Sequence, residues 1–233
     1  MVVSMLAGAA GAFAQGSLNW QDGQTGYDIS ILSPNSTTMP VAEETGNTQF
    51  DLPAGSTTYI GGWIGNTGAS PGAGVGTTPA SGYLGINYQN PAGFTMGLYV
   101  DTTKAALTAD IMSGNPAATT TLLGGANAGL YAQGTPTYVS GLAPATAVWV
   151  GLAAWYSGGG ATSYASAIAG HTVEAYVEST TTVALGGGSS APASVVGLGL
   201  TSFSLGSVVP EPSTIALGVI GASTFLMRIR RKN

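Results

Sequence analysis

The stretch Ala147-Val-Trp-Val-Gly-Leu-Ala-Ala-Trp-Tyr156 decides the fold class. Its residues alternate with a period of two, the pattern of a β-strand. Val148, Val150, Leu152, Ala154 and Tyr156 fall on one face. Trp149, Gly151, Ala153 and Trp155 fall on the other. Both faces are apolar, which predicts a central strand covered on both sides.

Working outward, residues 171–178 alternate as well. Val173, Ala175 and Val177 are expected to face a core, with Thr172, Glu174, Tyr176 and Glu178 facing out. Further strands are expected at 26–32, 57–64, 83–89, 94–100, 137–142 and 195–205. Turn-rich stretches separate them at 33–39, 66–82, 157–160 and 186–192. A short helix is expected at 103–112. The 37 glycines and 12 prolines favour short strands and turns over long helices. The reading is an all-β fold, an antiparallel β-sandwich of Ig-like, fibronectin-like or jelly-roll-like type, plus one short C-terminal hydrophobic helix. No internal repeat is visible. The domain plan is a signal peptide at 1–14, an extracytoplasmic body at 15–209 and a sorting segment at 210–233.

Only 6% of the residues are charged, against roughly 25% in ordinary soluble domains. Four of the five basic residues, Arg228, Arg230, Arg231 and Lys232, close the chain. The body between residues 15 and 209 holds one lysine, Lys104, against nine carboxylates, a net charge of −8. Duplex binding needs clustered Lys and Arg to neutralise phosphates, so nucleic acid is excluded as a partner. The absence of cysteine rules out disulfides, thiolate metal sites and a cysteine nucleophile.

The first fourteen residues are apolar and small, and Ala12-Phe13-Ala14 before Gln15 fits an A-x-A cleavage signal. Ala12 and Ala14 are the expected signal-cleavage residues. A signal peptide should open on Lys or Arg, and none precedes Gln15. The expectation is therefore a true start upstream of Met1.

At the other end, Val209-Pro210-Glu211-Pro212-Ser213-Thr214 leads into an apolar run from Ile215 to Met227. The two prolines remove backbone donors and hold the chain extended. Ile215, Leu217, Val219, Ile220, Phe225, Leu226 and Met227 form the expected hydrophobic helix. Thirteen residues give about 20 Å of helix, whereas a full span takes about 20 residues. Insertion is expected only if flanking residues join it and the arginines snorkel. Arg228, Arg230, Arg231 and Lys232 would then stay cytoplasmic and leave the body outside.

The order Pro-Glu-Pro, short apolar helix and basic cluster resembles the PEP-CTERM sorting signal of exported bacterial proteins. The likeness covers about 24 of the 233 residues. It implies that a membrane-embedded exosortase recognises Pro210, Glu211 and Pro212 as a substrate motif and processes the chain near them. It implies transient membrane contact, then delivery to the envelope or extracellular matrix, with exopolysaccharide and biofilm as the setting. Separately, Val139-Ser-Gly-Leu-Ala-Pro144-Ala-Thr146-Ala-Val148 resembles the Leu-x-Pro-x-Thr-x-Tyr corner of fibronectin type III domains. Val148 stands where that family has tyrosine, so the corner hydrogen bond cannot form.

Gly68-Ala-Ser70-Pro-Gly72 fits G-x-S-x-G, but the glycine- and proline-rich stretch after it cannot supply the helix a nucleophile elbow needs. His171, the sole histidine, is expected as a solvated turn residue. Glu174 and Glu178 would lie about 13 Å apart along one strand, beyond the roughly 5–9.5 Å of glycosidase carboxyl pairs. They are expected as solvated carboxylates. Asp22, Asp28, Asp101 and Asp110 offer a calcium possibility without a calcium-loop motif. Trp63, Trp149 and Trp155 are expected in the core, with Trp20 and Tyr88 less committed. The expected function is non-enzymatic, without a cofactor or metal. A carbohydrate-binding or adhesive module, marked by an exposed aromatic row, is the second reading. A secreted hydrolase, with Ser70 or two carboxylates meeting His171, is the third.

Overall fold

The computed structural model describes residues 15–20, 29–34, 45–46, 62–66, 83–131 and 136–207. The signal segment, Ser70, Asp22, Asp28 and the whole tail from 208 onward lie outside the described residues. Along the chain run β1 (Gly16–Asn19), β2 (Ile31–Leu32), β3 (Phe94–Asp101), α1 (Lys104–Ser113), β4 (Ala118–Thr121), β5 (Thr137–Val139) and β6 (Ala147–Tyr156). After these come α2 (Tyr164–Ala169), β7 (Glu174–Glu178), β8 (Val183–Ala184), β9 (Ala193–Ser194) and β10 (Phe203–Ser204). The fold is β-rich, in several sheets, with two helices among the described residues.

The principal sheet has five strands. Four follow the order β4-β3-β6-β7, and β8 pairs with β6 beyond the reach of β7. The deciding stretch is its central strand. Its partner β3 runs antiparallel to it over eight residue pairs, from Phe94↔Tyr156 to Asp101↔Trp149. Met96, Leu98, Val150, Leu152, Ala175 and Val177 are buried on one side, in a core shared with Leu18, Ile29, Ile31, Phe203 and Leu205. On the other side Tyr99, Ala153 and Trp155 pack with Leu107 and Ile111 of α1 and Tyr164 and Ala167 of α2. Both faces of β6 are thus covered, as its alternation requires, and helices cover one of them. Glu174, Tyr176 and Glu178 face this helical layer, not open solvent.

The helices occupy the connections β3–α1–β4 and β6–α2–β7, so each joins antiparallel neighbours. With the order β4-β3-β6-β7, the two units stand back to back about the β3–β6 pair. This repetition lies in topology alone, which is why no sequence repeat shows it. Thr103 caps α1 by accepting from the Ala106 N–H. Leu107 and Ile111, four apart, point to the sheet. Gly151 makes room for them: a Cβ there would sit 2.8 Å from Ile111 Cδ1. At Gly114, φ is 74°, the left-handed conformation that ends helices. A Cβ at that position would also meet Ser163 Oγ at 2.7 Å, where α1 approaches the cap of α2.

Several strand expectations are corrected. At 83–89 there is a 3₁₀ turn, Tyr83–Gly85, with Leu84 at φ 56°, followed by further turns. Gly85, Asn87 and Asn90 supply turn chemistry that outweighs the local alternation. Within 195–205 only β10 is a strand, since Gly197 and Gly199 take φ of 80° and 73°. β1, β4, β8, β9 and α2 lie outside the expected elements. Antiparallel pairing is not universal either: β1 pairs in parallel with β9, and β2 with β10. These two-to-four-residue strands meet across long stretches of chain, and only a tight hairpin imposes antiparallel direction.

Interior hydroxyls replace charges as hydrogen-bond partners. Ser33 Oγ accepts from the Gly62 N–H at 3.0 Å, Ser202 Oγ from Ser30 at 2.9 Å, and Ser179 Oγ from Val150 at 3.1 Å. Ser179→Ala would strand the Val150 N–H within the protein. The expected loss is about 1–3 kcal/mol of unfolding free energy by urea titration. A loss below about 0.5 kcal/mol, the range of neutral surface changes, would contradict the role of this hydroxyl.

Candidate functional site: the exit of the C-terminal tail

The tail leaves the body from a closed seam. Phe203 and Ser204 register in parallel against Ile31 and Leu32. The Phe203 N–H donates to Ser30 O at 3.1 Å, and the Leu205 N–H to Leu32 O at 2.9 Å. Gly46 N–H donates to Ser202 O at 2.8 Å. Gly206 and Glu174 exchange both backbone hydrogen bonds, at 2.9 and 3.0 Å, which ties the segment to the start of β7. Phe203 and Leu205 are fully buried, and Ser207 is 2% exposed. The body is therefore closed to within three residues of Pro210. Sequence alternation had placed a strand over this region. It could not show that the strand seals two separate parts of the fold.

The catalytic candidates do not assemble among the described residues. His171 is exposed, follows the end of α2 and has a φ of 52°, as expected of a turn residue. Glu174 is buried at 1% exposure, which corrects its expected solvation: its position opposite Trp155 places it beneath the helical layer. Glu178 accepts from Thr108 Oγ1 at 2.6 Å and pairs with Lys104 at 3.6 Å. The Lys104 ammonium lies 5.6 Å from the Trp149 ring centroid. The body's one lysine and this glutamate thus fasten α1 to β6 and β7. Asp101 accepts from the Thr103 N–H at 3.2 Å and so supports the start of α1. No group of three His, Asp or Glu able to hold a metal occurs among the described residues.

The aromatics fill the interior. Trp20 and Tyr88, the less committed pair, are both core residues. Trp20 stacks on Tyr131 with centroids 5.4 Å apart and donates to Thr137 Oγ1 at 3.0 Å. Tyr88 stacks on Phe94 at 5.6 Å. Trp155 is buried, whereas Trp63 and Trp149 are half-buried. Tyr138 is the one large aromatic clearly exposed among the side chains described, at 65%.

Burial, then the nearby Asp110 carboxylate, pushes the Tyr99 phenol up to about 12, from an ordinary value near 10. The fold favours the neutral phenol. Its contribution is complete below about pH 10 and is lost as the pH rises through about 12. Tyr99→Phe is expected to flatten the fall in stability across that window, followed by urea unfolding at several pH values. An equal fall in both proteins would contradict the assignment.

No family model matches the chain, nor does any curated protein or solved structure. Among the described residues no helix is long and apolar enough to cross a membrane.

Proposed function

We propose that this chain is a non-enzymatic bacterial export protein, an envelope or extracellular-matrix component delivered by a PEP-CTERM-type tail. A membrane exosortase processes it, and the body ends at the outer surface or in an exopolysaccharide-rich matrix. The observation that carries this reading is the ordered tail: Pro210-Glu211-Pro212, the apolar run to Met227, then Arg228, Arg230, Arg231 and Lys232. The low charge of the body and its interior of serine hydroxyls and aromatics suit a structural role. The β-sandwich belongs to the same proposal. What supports it is the core that the principal sheet shares with Leu18 of β1, Ile31 of β2, Val139 of β5 and Phe203 of β10.

Replacing Pro210, Glu211 and Pro212 together by Ala tests the reading. The variant should accumulate with its tail intact in the membrane fraction, while the parent protein loses the tail and reaches the surface or medium. Equal processing of the two proteins would sink it. The exposed aromatic row that marks a carbohydrate-binding module is not found among the described residues, so no observation favours that alternative.

A further inference from the structure

We propose that Tyr138 is an oxidative cross-linking site, at which two copies of this chain join through a carbon–carbon bond between their phenol rings. The site lies in the body and is independent of what happens to the tail.

The local fold puts the phenol in solvent. Tyr138 is the middle residue of β5, and β5 is an edge of the β5-β1-β9 sheet. Its neighbours along the strand point inward. Thr137 Oγ1 accepts from the Trp20 indole N–H at 3.0 Å, and Val139 is buried in the main core. Alternation therefore sends the Tyr138 ring to the opposite face, where it is 65% exposed. The flanking Pro136 and Ser140 are exposed and uncharged. Neither β5 nor its neighbours β1 and β9 carries a charge, so no like charges meet where two rings approach. Charges of the acidic body more than about 8 Å away are screened at physiological salt.

The second phenol belongs to another copy. Tyr88, Tyr99, Tyr131 and Tyr164 are buried at 1% exposure or less, and the half-buried Tyr156 and Tyr176 pack edge-on against Phe94 and Tyr164. Tyr138 is thus the one exposed phenol among the described side chains. The chain has no cysteine, so no thiol competes for the oxidant. Met112, 41% exposed, takes an oxygen from peroxide to become a sulfoxide, which joins no chains.

The oxidant is hydrogen peroxide acting through a haem peroxidase. Each phenol gives up an electron and its hydroxyl proton. The two phenoxyl radicals bond at ring carbons beside the oxygens, and each ring hydrogen displaced there moves to oxygen, which restores the phenols. The two electrons and two protons released reduce one peroxide to two waters.

The test treats the purified full-length chain with peroxide and peroxidase, beside Tyr138→Phe and Tyr156→Phe proteins. Tyr138→Phe removes one exposed hydroxyl and leaves the fold in place. Covalent dimer is read by denaturing electrophoresis, and the linked peptides by mass spectrometry. The expected results are a dimer in the parent and in Tyr156→Phe, its loss in Tyr138→Phe, and a link from Tyr138 of one copy to Tyr138 of the other. No dimer in the parent, a dimer that persists in Tyr138→Phe, or linkage through Tyr27, Tyr59 or Tyr83, whose side chains lie outside the described residues, overturns the proposal. Each result is read on protein that still carries its tail, so none of them bears on the sorting function.

Discussion

Trp155→Ala is expected to lower the unfolding free energy by about 3–5 kcal/mol, the cost of truncating a large aromatic in a packed interior. Trp155 is 1% exposed and sits where the helical layer meets the principal sheet. Its ring and that of Tyr99 close over Gly97, where a Cβ would lie 3.0 Å from each. Removing the indole therefore undercuts the contact surface of α1 and α2, and leaves a void that the rigid β3–β6 ladder cannot collapse to fill. The indole N–H finds no hydrogen-bond partner among the described residues. Trp155→Phe should accordingly cost much less than Trp155→Ala. Urea unfolding of the three proteins checks this. A Trp155→Ala protein within about 1 kcal/mol of the parent would show that the helices do not depend on this face.

Phe203→Ala is the second large effect, also about 3–5 kcal/mol. Phe203 is fully buried in the main core, opposite Ile31 in register. Its loss weakens the seam joining β2, β10 and the start of β7, because the backbone ladder there is only a few bonds long. Hydrogen exchange should report the change locally as well as globally. The Leu205 and Gly206 amides, which donate to Leu32 and Glu174, should lose protection more than those of β3 or β6. Uniform loss of protection across the sheet would mean that the seam has no separate stability. Unchanged stability would mean that it does not close the body.

The deciding stretch was legible because alternation and burial agree along it: ten residues, both faces apolar, both faces covered. β3 was legible for similar reasons. The helix expected at 103–112 carries little pattern of its own; the Thr103 cap and the packing of Leu107 and Ile111 on the sheet hold it in place. The covering of the second face was not legible. α2 is six residues long and is announced only by Ser163 and Ser166, which cap each other's backbone. Serines are so common in this chain that the pair carries little signal. Glu174 was misjudged because an acidic residue on an alternating strand is ordinarily solvated, whereas helices cover this one. The parallel pairings were hidden because strands of two residues have no periodicity to detect. The proposed tail motif is read from consecutive residues alone, Pro210 to Lys232.

The proposed function requires that the chain be sorted through residues 210–233 and lose them. Intact-mass measurement of the native protein from cells, envelope and medium tests it most directly. The expected result is a surface or medium species lacking the apolar run and the basic cluster. A soluble cytoplasmic species still ending in Asn233, with no shortened form elsewhere, would contradict it.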